Sequence, residues 1–117
     1  MGAHGSFDVT IAATDGVVRV AVRGELDCAS APRLSQMLAD LADDPRDLVV
    51  DLQSTEFVDC AGLGPLVVAF ERRRQVGAEL VLEAPSRAAG RVLALTGLAE
   101  HIPMSDDQGC GSSNAPG

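Results

Sequence analysis

The sequence has no tryptophan and no tyrosine, and aromatic residues make up 3% of its 117 positions. This shortage argues against a protein that stacks nucleic-acid bases or sugars on aromatic side chains. The chain also lacks any apolar run approaching the ~18 residues of a membrane-spanning helix, and its first residues lack the apolar region of an export signal. We therefore expect a cytoplasmic protein with no membrane association.

Basic residues are scarce, at nine against 17 acidic ones, and the formal net charge is −8 at pH 7. A surplus of negative charge disfavours binding to nucleic acid and to anionic membranes. It favours solubility or a basic partner.

Cysteines are few as well: Cys28, Cys60 and Cys110 are odd in number and widely spaced. They match neither the disulfide framework of a secreted protein nor the spacing of a zinc site. We expect reduced thiols, no bound metal and no cofactor.

Apolar residues make up 46% of the sequence, enough for one globular domain with a single core. Regular apolar patterns begin at residue 7 and stop at residue 104. We therefore predict a flexible N-terminus at residues 1–6, a folded domain at residues 7–104 and a disordered glycine- and serine-rich tail at residues 105–117.

The first part of the domain predicts a hairpin followed by a helix. Apolar and polar residues alternate in residues 7–12, where Ile11 shares the apolar face with Phe7 and Val9, and again in residues 18–23. Asp15 and Gly16 between these strands are a turn signal. Ser30 is a suitable N-cap for the helix, Pro32 fits its first turn, and the apolar face contains Leu34, Met37, Leu38 and Leu41.

The middle of the chain predicts a buried strand, a turn and a second helix. Residues 48–52 form a short β-branched run, residues 57–62 form the turn, and the helix carries an apolar stripe of Leu63, Leu66, Val67 and Phe70. Pro65 should lie in the first helical turn, which places the helix start close to Ala61 and Gly62. Gly77 is the expected C-cap.

The remaining residues predict a strand at 80–82 and a third helix. Ser86 caps this helix, Val92 and Leu95 form its buried side, and Gly97 ends it. Residues 101–104 are at best an edge strand, because Pro103 cannot donate to a ladder. The order ββαβαβα predicts an α/β fold, a mixed and mainly parallel sheet of four to five strands with three to four helices.

Functional sites of such sheets collect outside the carboxyl ends of the strands, where this chain has Asp27 and Asp59. The two carboxylates could serve acid–base chemistry or a magnesium ion, or they could brace the two loops. We favour bracing, because no nucleophile with a base and an oxyanion donor is visible. We expect no enzymatic activity.

Four segments carry a family resemblance: GELDCASAPRL (residues 24–34), VVDLQSTEFVDCAGLGPL (49–66), RRRQVGAELVLEAPS (72–86) and RVLALTGL (91–98). They resemble the STAS domain, and within it the bacterial anti-sigma factor antagonists. The resemblance implies a single STAS-like domain that binds an anti-sigma factor of the histidine-kinase-like ATPase type and so releases a sigma factor. We expect a monomer or weak dimer whose partner-binding surface comprises Asp27, Cys28, Ser30, Asp59, Cys60, Ala61, Gly62, Leu63 and Gly64.

In that family the anti-sigma kinase phosphorylates a serine just before the glycine of a D-S-S-G-L motif, and phosphorylation abolishes binding. Here Ala61 occupies the acceptor position and Cys60 precedes it, so the phosphorylation switch is missing. The protein is then constitutively active, or it is regulated by thiols through Cys28, Cys60 and Cys110. The opposing interpretation is that Cys60 is a small buried substitute for serine.

Two other functions remain open on the sequence. A STAS subunit of a lipid- or anion-transport complex would have the same fold. A small thiol-dependent enzyme would use Cys60, but neither His4 nor His101 is placed to serve as its base. The charged run at residues 71–74 could dock an acidic partner, although such a run is more often the solvated end of a helix.

Overall fold

The computed structural model describes residues 6–14 and 16–105. Within them, the strands are β1 (Phe7–Thr14), β2 (Val17–Leu26), β3 (Asp47–Asp51), β4 (Thr55–Val58), β5 (Leu80–Glu83) and β6 (Met104–Ser105). The helices in the same residues are α1 (Ala31–Asp40), α2 (Cys60–Gln75) and α3 (Arg87–Thr96), followed by a short 3-10 helix at Leu98–Glu100.

One mixed sheet has the strand order β1-β2-β3-β5-β6, and β4 also pairs with β2, beyond the end of β3. The β1–β2 hairpin is antiparallel, with Thr14 opposite Val17, and the remaining pairs are parallel. The predicted α/β class with a mixed, mainly parallel sheet is therefore confirmed. The described residues hold six strands, more than the four to five predicted.

Strand β4 is the main departure from the sequence-based prediction, which assigned Phe57 and Val58 to a turn. Pairing with β2 begins at Gly24 opposite Thr55 and ends at Leu26 opposite Val58. The buried hydroxyl of Thr55 donates to the carbonyl oxygen of Val22 at 2.9 Å and attaches the start of β4 to β2. Three of its four residues are β-branched or aromatic, the residue types that suit a pleated surface.

The core lies between the sheet and the helices. Alternate residues of β2 point into it, among them Val20 and Leu26, and the facing helices contribute Leu34, Leu66 and Leu93. Burying a side chain of this size stabilises the fold by about 1.5–3 kcal/mol. The periodicity that predicted the strands and helices is therefore also what holds them together.

Two residues predicted to be buried are exposed. Ile11 is 42% exposed because it lies in the half of the edge strand β1 next to the hairpin turn, where residues 10–14 are all exposed. Leu95 is 79% exposed, whereas Leu93 is buried. Residues two apart in a helix point about 200° apart, so these two leucines cannot share one face.

Helix α2 begins at Cys60, close to the predicted start, but Pro65 is its sixth residue and lies in the second turn. The prediction that Pro65 lies in the first turn is therefore wrong. Proline has no N–H to donate to the carbonyl four residues back, which here belongs to Ala61. The cost is one hydrogen bond near the N-terminal end, and the helix continues to Gln75.

The end of α2 is a Schellman motif. Gly77 has a left-handed φ of 79° and follows the capping residue Val76. The N–H of Gly77 donates to the carbonyl of Arg74 at 3.2 Å, and that of Ala78 donates to the carbonyl of Arg73 at 2.9 Å. The predicted glycine ending is present, with the glycine one residue beyond the cap.

Arg73 does not belong to a solvated helix end. Its side chain is buried, and its guanidinium donates to the carbonyl oxygens of Leu41, Asp44 and Arg46. These carbonyls belong to the connection between α1 and β3. A buried arginine therefore attaches that connection to α2.

The last described residue extends the fold slightly beyond the predicted boundary at residue 104. Ser105 pairs with Glu83 in the β5–β6 ladder. The remainder of the predicted tail, including Cys110, lies outside the described residues, as do residues 1–5 and Asp15. Among the helices that the structure describes, none combines the length and apolar character needed to cross a bilayer.

Candidate partner-binding site

Strands β2 and β4 end side by side and in the same direction. Leu26 and Val58 are partners in this parallel pair, so Asp27 and Asp59 come directly after neighbouring strand ends. The N–H of Asp59 donates to the carbonyl oxygen of Leu26 at 3.2 Å. The two loops that the sequence singled out therefore meet at one edge of the sheet, although β4 and not β3 leads into the second loop.

The first loop is held by a local network between Asp27 and Ser30. The Asp27 Oδ1 atom accepts from the N–H groups of Ala29 at 3.0 Å and Ser30 at 3.1 Å. The Ser30 hydroxyl donates to the carbonyl oxygen of Glu25 at 2.8 Å, and its Oγ accepts from the N–H of Asp27 at 3.0 Å.

Ser30 is at the N-cap position of α1, as predicted, but its side chain caps no helical N–H. It ties the loop back to β2 instead. In the sequence, the three-residue spacing of Asp27 and Ser30 is the signal from which this network could have been predicted.

The second loop ends in a capped helix. Asp59 has an extended backbone, and its Oδ1 accepts from the N–H of Gly62 at 2.8 Å. A carboxylate at this position is favourable because the N-terminus of a helix is the positive end of its dipole. The N–H groups of Cys60 and Ala61 donate to no acceptor among the described residues.

Gly62 lets the first turn of α2 pack directly on the end of β2. A Cβ at this position would lie 2.6 Å from the carbonyl carbon of Leu26 and 2.8 Å from its Cγ, and closer still to the carbonyl oxygen. Any larger side chain would push the helix off the strand. The glycine therefore sets how the two loops sit relative to each other.

The predicted site residues divide into an exposed and a buried set. Cys28, Cys60, Ala61 and Gly64 are exposed, and Asp27 and Asp59 are half-buried. These six residues form what we term the strand-end surface. Ser30, Gly62 and Leu63 are buried, so they shape this surface without exposing their own side chains to solvent.

The two carboxylates of the strand-end surface are engaged in backbone contacts. Asp27 and Asp59 each use a carboxylate oxygen to accept backbone N–H groups. Nowhere in residues 6–14 or 16–105 do three or more histidine, cysteine or acidic side chains cluster in a way that would suit a metal ion. This geometry favours the bracing interpretation of the two aspartates. The same surface also exposes the methyl group of Ala61 and the thiols of Cys28 and Cys60.

The sequence matches the STAS domain family over residues 8–109. The chain is 32% identical over 100 residues to the anti-sigma-B factor antagonist of Bacillus subtilis, and the match covers 86% of this chain and 92% of that protein. It is 30% identical over 102 residues to the anti-sigma-B factor antagonist of Staphylococcus aureus, with coverage of 86% and 94%.

The fold is also similar to that of a solved anti-sigma factor antagonist. A crystal structure of an anti-sigma factor antagonist from Mycobacterium paratuberculosis superposes with a TM-score of 0.79 at 31% identity and covers 87% of each chain. The chain belongs to the STAS domain family, and these relatives are regulatory proteins named as antagonists of anti-sigma factors.

Proposed function

We propose that this protein is an anti-sigma factor antagonist that binds an anti-sigma factor through the strand-end surface and thereby releases a sigma factor. Its relatives in Bacillus subtilis, Staphylococcus aureus and Mycobacterium paratuberculosis support this proposal by name. It acts by occupancy and not by catalysis, in the cytoplasm, as a monomer or weak dimer. The partner is an anti-sigma factor of the histidine-kinase-like ATPase type.

The observation that carries the proposal is the position of Ala61. It is exposed in the first turn of α2, next to unbonded N–H groups and beside the Asp27 loop. The resemblance to the anti-sigma factor antagonists implies that Ala61 occupies the position of their phosphorylated serine, so an uncharged methyl group would replace the acceptor hydroxyl. A phosphate there would add about two negative charges next to Asp59. Phosphorylation at this residue therefore cannot switch binding off, and the antagonist is either constitutively active or regulated in another way.

Two variants of nearly equal size test the interface. Ala61→Asp introduces a negative charge, and Ala61→Asn introduces a neutral side chain of the same shape. Titration calorimetry against a purified kinase-type anti-sigma factor of the source organism should show affinity lowered at least about ten-fold by aspartate and no more than about three-fold by asparagine. Unchanged affinity for both variants would place the interface elsewhere.

A third variant tests the type of partner. Ala61→Ser restores the acceptor hydroxyl, so incubation with ATP and the anti-sigma factor should add one phosphate, detected by mass spectrometry. The protein with Ala61 should gain none at this residue. If the serine variant is not modified while its binding persists, the partner is not a kinase.

Regulation by thiols is the second part of this proposal. Cys28 and Cys60 are both exposed and follow paired strand ends, Cys28 in the first loop and Cys60 as the first residue of α2. Oxidised glutathione would accept two electrons and two protons from the thiols, giving a disulfide and two molecules of reduced glutathione. The bond would alter the strand-end surface and weaken partner binding.

The thiol test compares partner affinity before and after treatment with oxidised glutathione. The untreated protein should bind more tightly, reductant should restore affinity, and Cys28→Ser should be insensitive. Cys110→Ser distinguishes the two possible disulfides: the variant should keep its sensitivity to oxidation if Cys28 bonds to Cys60, and lose it if the disulfide involves Cys110. Equal affinity of the reduced and oxidised protein would end the thiol hypothesis and leave the interface proposal intact.

A further inference from the structure

A second concave site lies away from the strand-end surface. This cavity of about 970 Å³ opens between β1, β2, the start of β4 and the N-terminal turns of α3. Its charged and hydroxyl lining includes Asp8, Arg23, Ser54, Glu56, Arg87 and Arg91. No residue of the strand-end surface lines it. Its volume is in the range of small-molecule sites.

Three arginines face this cavity without a partner. Arg23, Arg87 and Arg91 are exposed, and none makes an ion pair or a hydrogen bond with a described residue. The sequence has no lysine, so all nine cationic side chains are arginines. Most of the others are engaged: Arg19, Arg46 and Arg74 pair with carboxylates, Arg73 binds carbonyl oxygens, and Arg33 lies over the ring of Phe7.

The three arginines bring like charges into one cavity. Arg87 is the first residue of α3, where the helix dipole is positive, and the first turn contains no acidic residue. Arg91 follows at i+4, so the two like charges lie on the same face and repel each other. Arg23 on β2 adds a third positive charge to the same cavity. An anion in the cavity would relieve this repulsion.

The other polar groups of the lining determine which kind of anion the cavity can bind. The hydroxyl of Ser54 and the N–H groups of Arg87 and Ala88 donate to no acceptor within the described residues. Two carboxylates also line the cavity: Asp8, which is the cross-strand neighbour of Arg23, and Glu56. Together with the three arginines they give the lining one net positive charge. A monovalent inorganic anion would gain little from such a lining. A ligand with a dianionic group and separate hydroxyl or amine groups would use both signs of charge.

We propose that this cavity binds a phosphorylated polyhydroxy small molecule. The guanidinium groups of Arg23, Arg87 and Arg91 hold its phosphate, because planar guanidinium groups form paired hydrogen bonds with phosphate oxygens. Asp8 and Glu56 accept from its hydroxyl groups. The lining favours a small molecule over an acidic protein segment because the arginines line a concavity built from separate elements. This site is independent of the function proposed above.

Ribose 5-phosphate is a suitable probe, with ribose and inorganic phosphate as the two partial ligands. Titration calorimetry should show saturable binding of ribose 5-phosphate and weaker or no binding of either part. In ¹H–¹⁵N spectra the amide signals of Gly24, Ser54 and Ala88 should shift, and those of Cys60 and Ala61 should not. If neither ribose 5-phosphate nor inorganic phosphate shows saturable binding at ligand concentrations up to about 10 mM, the proposal is overturned, because a dissociation constant above that value is too weak for a specific site.

The double variant Arg87→Gln/Arg91→Gln should lower the affinity at least about ten-fold, because charge-assisted bonds to phosphate are lost. Its melting temperature without ligand should equal or exceed that of the unchanged protein, which shows that the variant folds.

The matched control is Arg72→Gln, an exposed arginine of α2 outside the cavity. It should change the affinity by less than about two-fold. An equal loss of affinity in Arg72→Gln would mean that binding depends on the net charge of the protein and not on the arginines of the cavity. Binding of a glutamate-rich peptide in place of the phosphate would assign the cavity to an acidic protein partner. Either result would overturn the proposal.

Discussion

The carbonyl group of Leu26 lies directly against the α-carbon of Gly62, so the last residue of β2 and the first turn of α2 meet with no side chain between them. The same carbonyl oxygen accepts from the N–H of Asp59, the residue that caps α2. One carbonyl therefore positions both the cap and the first turn of the helix. This contact therefore fixes the position of the strand-end surface relative to β2.

Replacing Gly62 with alanine should destabilise the protein by about 1–3 kcal/mol, because the added methyl group overlaps the backbone of Leu26. Urea denaturation measures the change. Gly64 is the matched control, since a Cβ there meets nothing within 4 Å. Gly64→Ala should raise stability by about 0.5–1 kcal/mol through the helix propensity of alanine. Equal effects of the two variants would contradict the contact.

Ser30→Ala should cost about 1–3 kcal/mol, because it leaves the carbonyl of Glu25 and the N–H of Asp27 without their hydrogen-bond partner. The loss appears in thermal or urea unfolding. Ser35 is exposed on the same helix and serves as the control. Ser35→Ala should change stability by less than about 0.5 kcal/mol. A mild effect at Ser30 would show that water replaces the hydroxyl.

Arg73→Met should destabilise the protein by about 2–4 kcal/mol, because three carbonyl groups lose a charged donor in a buried setting. Methionine retains much of the apolar stem, so the measured loss reports the hydrogen bonds. Arg74→Met removes an exposed arginine paired with Glu71 and should cost no more than about 0.5 kcal/mol. Similar losses at both positions would argue against the buried role of Arg73.

Stability at acid pH should depend on Asp44. Its carboxylate accepts from the Nε, Nη2 and backbone N–H of Arg46, and these contacts hold the pKa of Asp44 well below its usual range. A lowered folded-state pKa contributes stability above the unfolded value of about 3.9, and that contribution is lost as pH falls toward the folded value. Asp44→Asn should therefore be less stable than the unchanged protein at pH 7.

The difference between the two proteins should shrink as pH falls below about 4, measured by urea denaturation at several pH values. Asp43→Asn is the control, because the neighbouring Asp43 is exposed and forms no ion pair among the described residues. A gap between Asp44→Asn and the unchanged protein that stays constant from pH 7 to pH 2 would contradict the linkage.

Much of the fold was predictable from local patterns. Alternation identified β2, helical spacing identified α1 and α2, and turn chemistry located the endings at Gly77 and Gly97, because each of these signals depends on neighbours in sequence. Strand β4 was missed because four residues carry too little periodicity to be separated from a turn. Leu95 was misassigned for a related reason: an apolar residue on a helix does not by itself say which face is covered.

The site divides in the same way. The acidic residue before each loop, the glycine of the helix turn and the absent hydroxyl at Ala61 are visible in the sequence, and so is the family resemblance that the comparisons confirm. The apolar stripe of the second helix predicted that Leu63 is buried, but the sequence did not show that Ser30 and Gly62 are buried as well. The burial of a serine or a glycine depends on which elements pack together, and apolar periodicity does not record it.

The sequence by itself determined the class of fold, the family and the order of nearly every element, because hydrophobic period and turn residues act over a few neighbouring positions. Only the tertiary structure decided that β4 runs beside β2, which brings Asp59 next to the end of the strand that precedes Asp27. It also decided that Arg23 and Arg87, far apart in the chain, share one cavity. Both results depend on the pairing of distant segments, whose free energy comes from burial and backbone hydrogen bonds formed only in the folded chain.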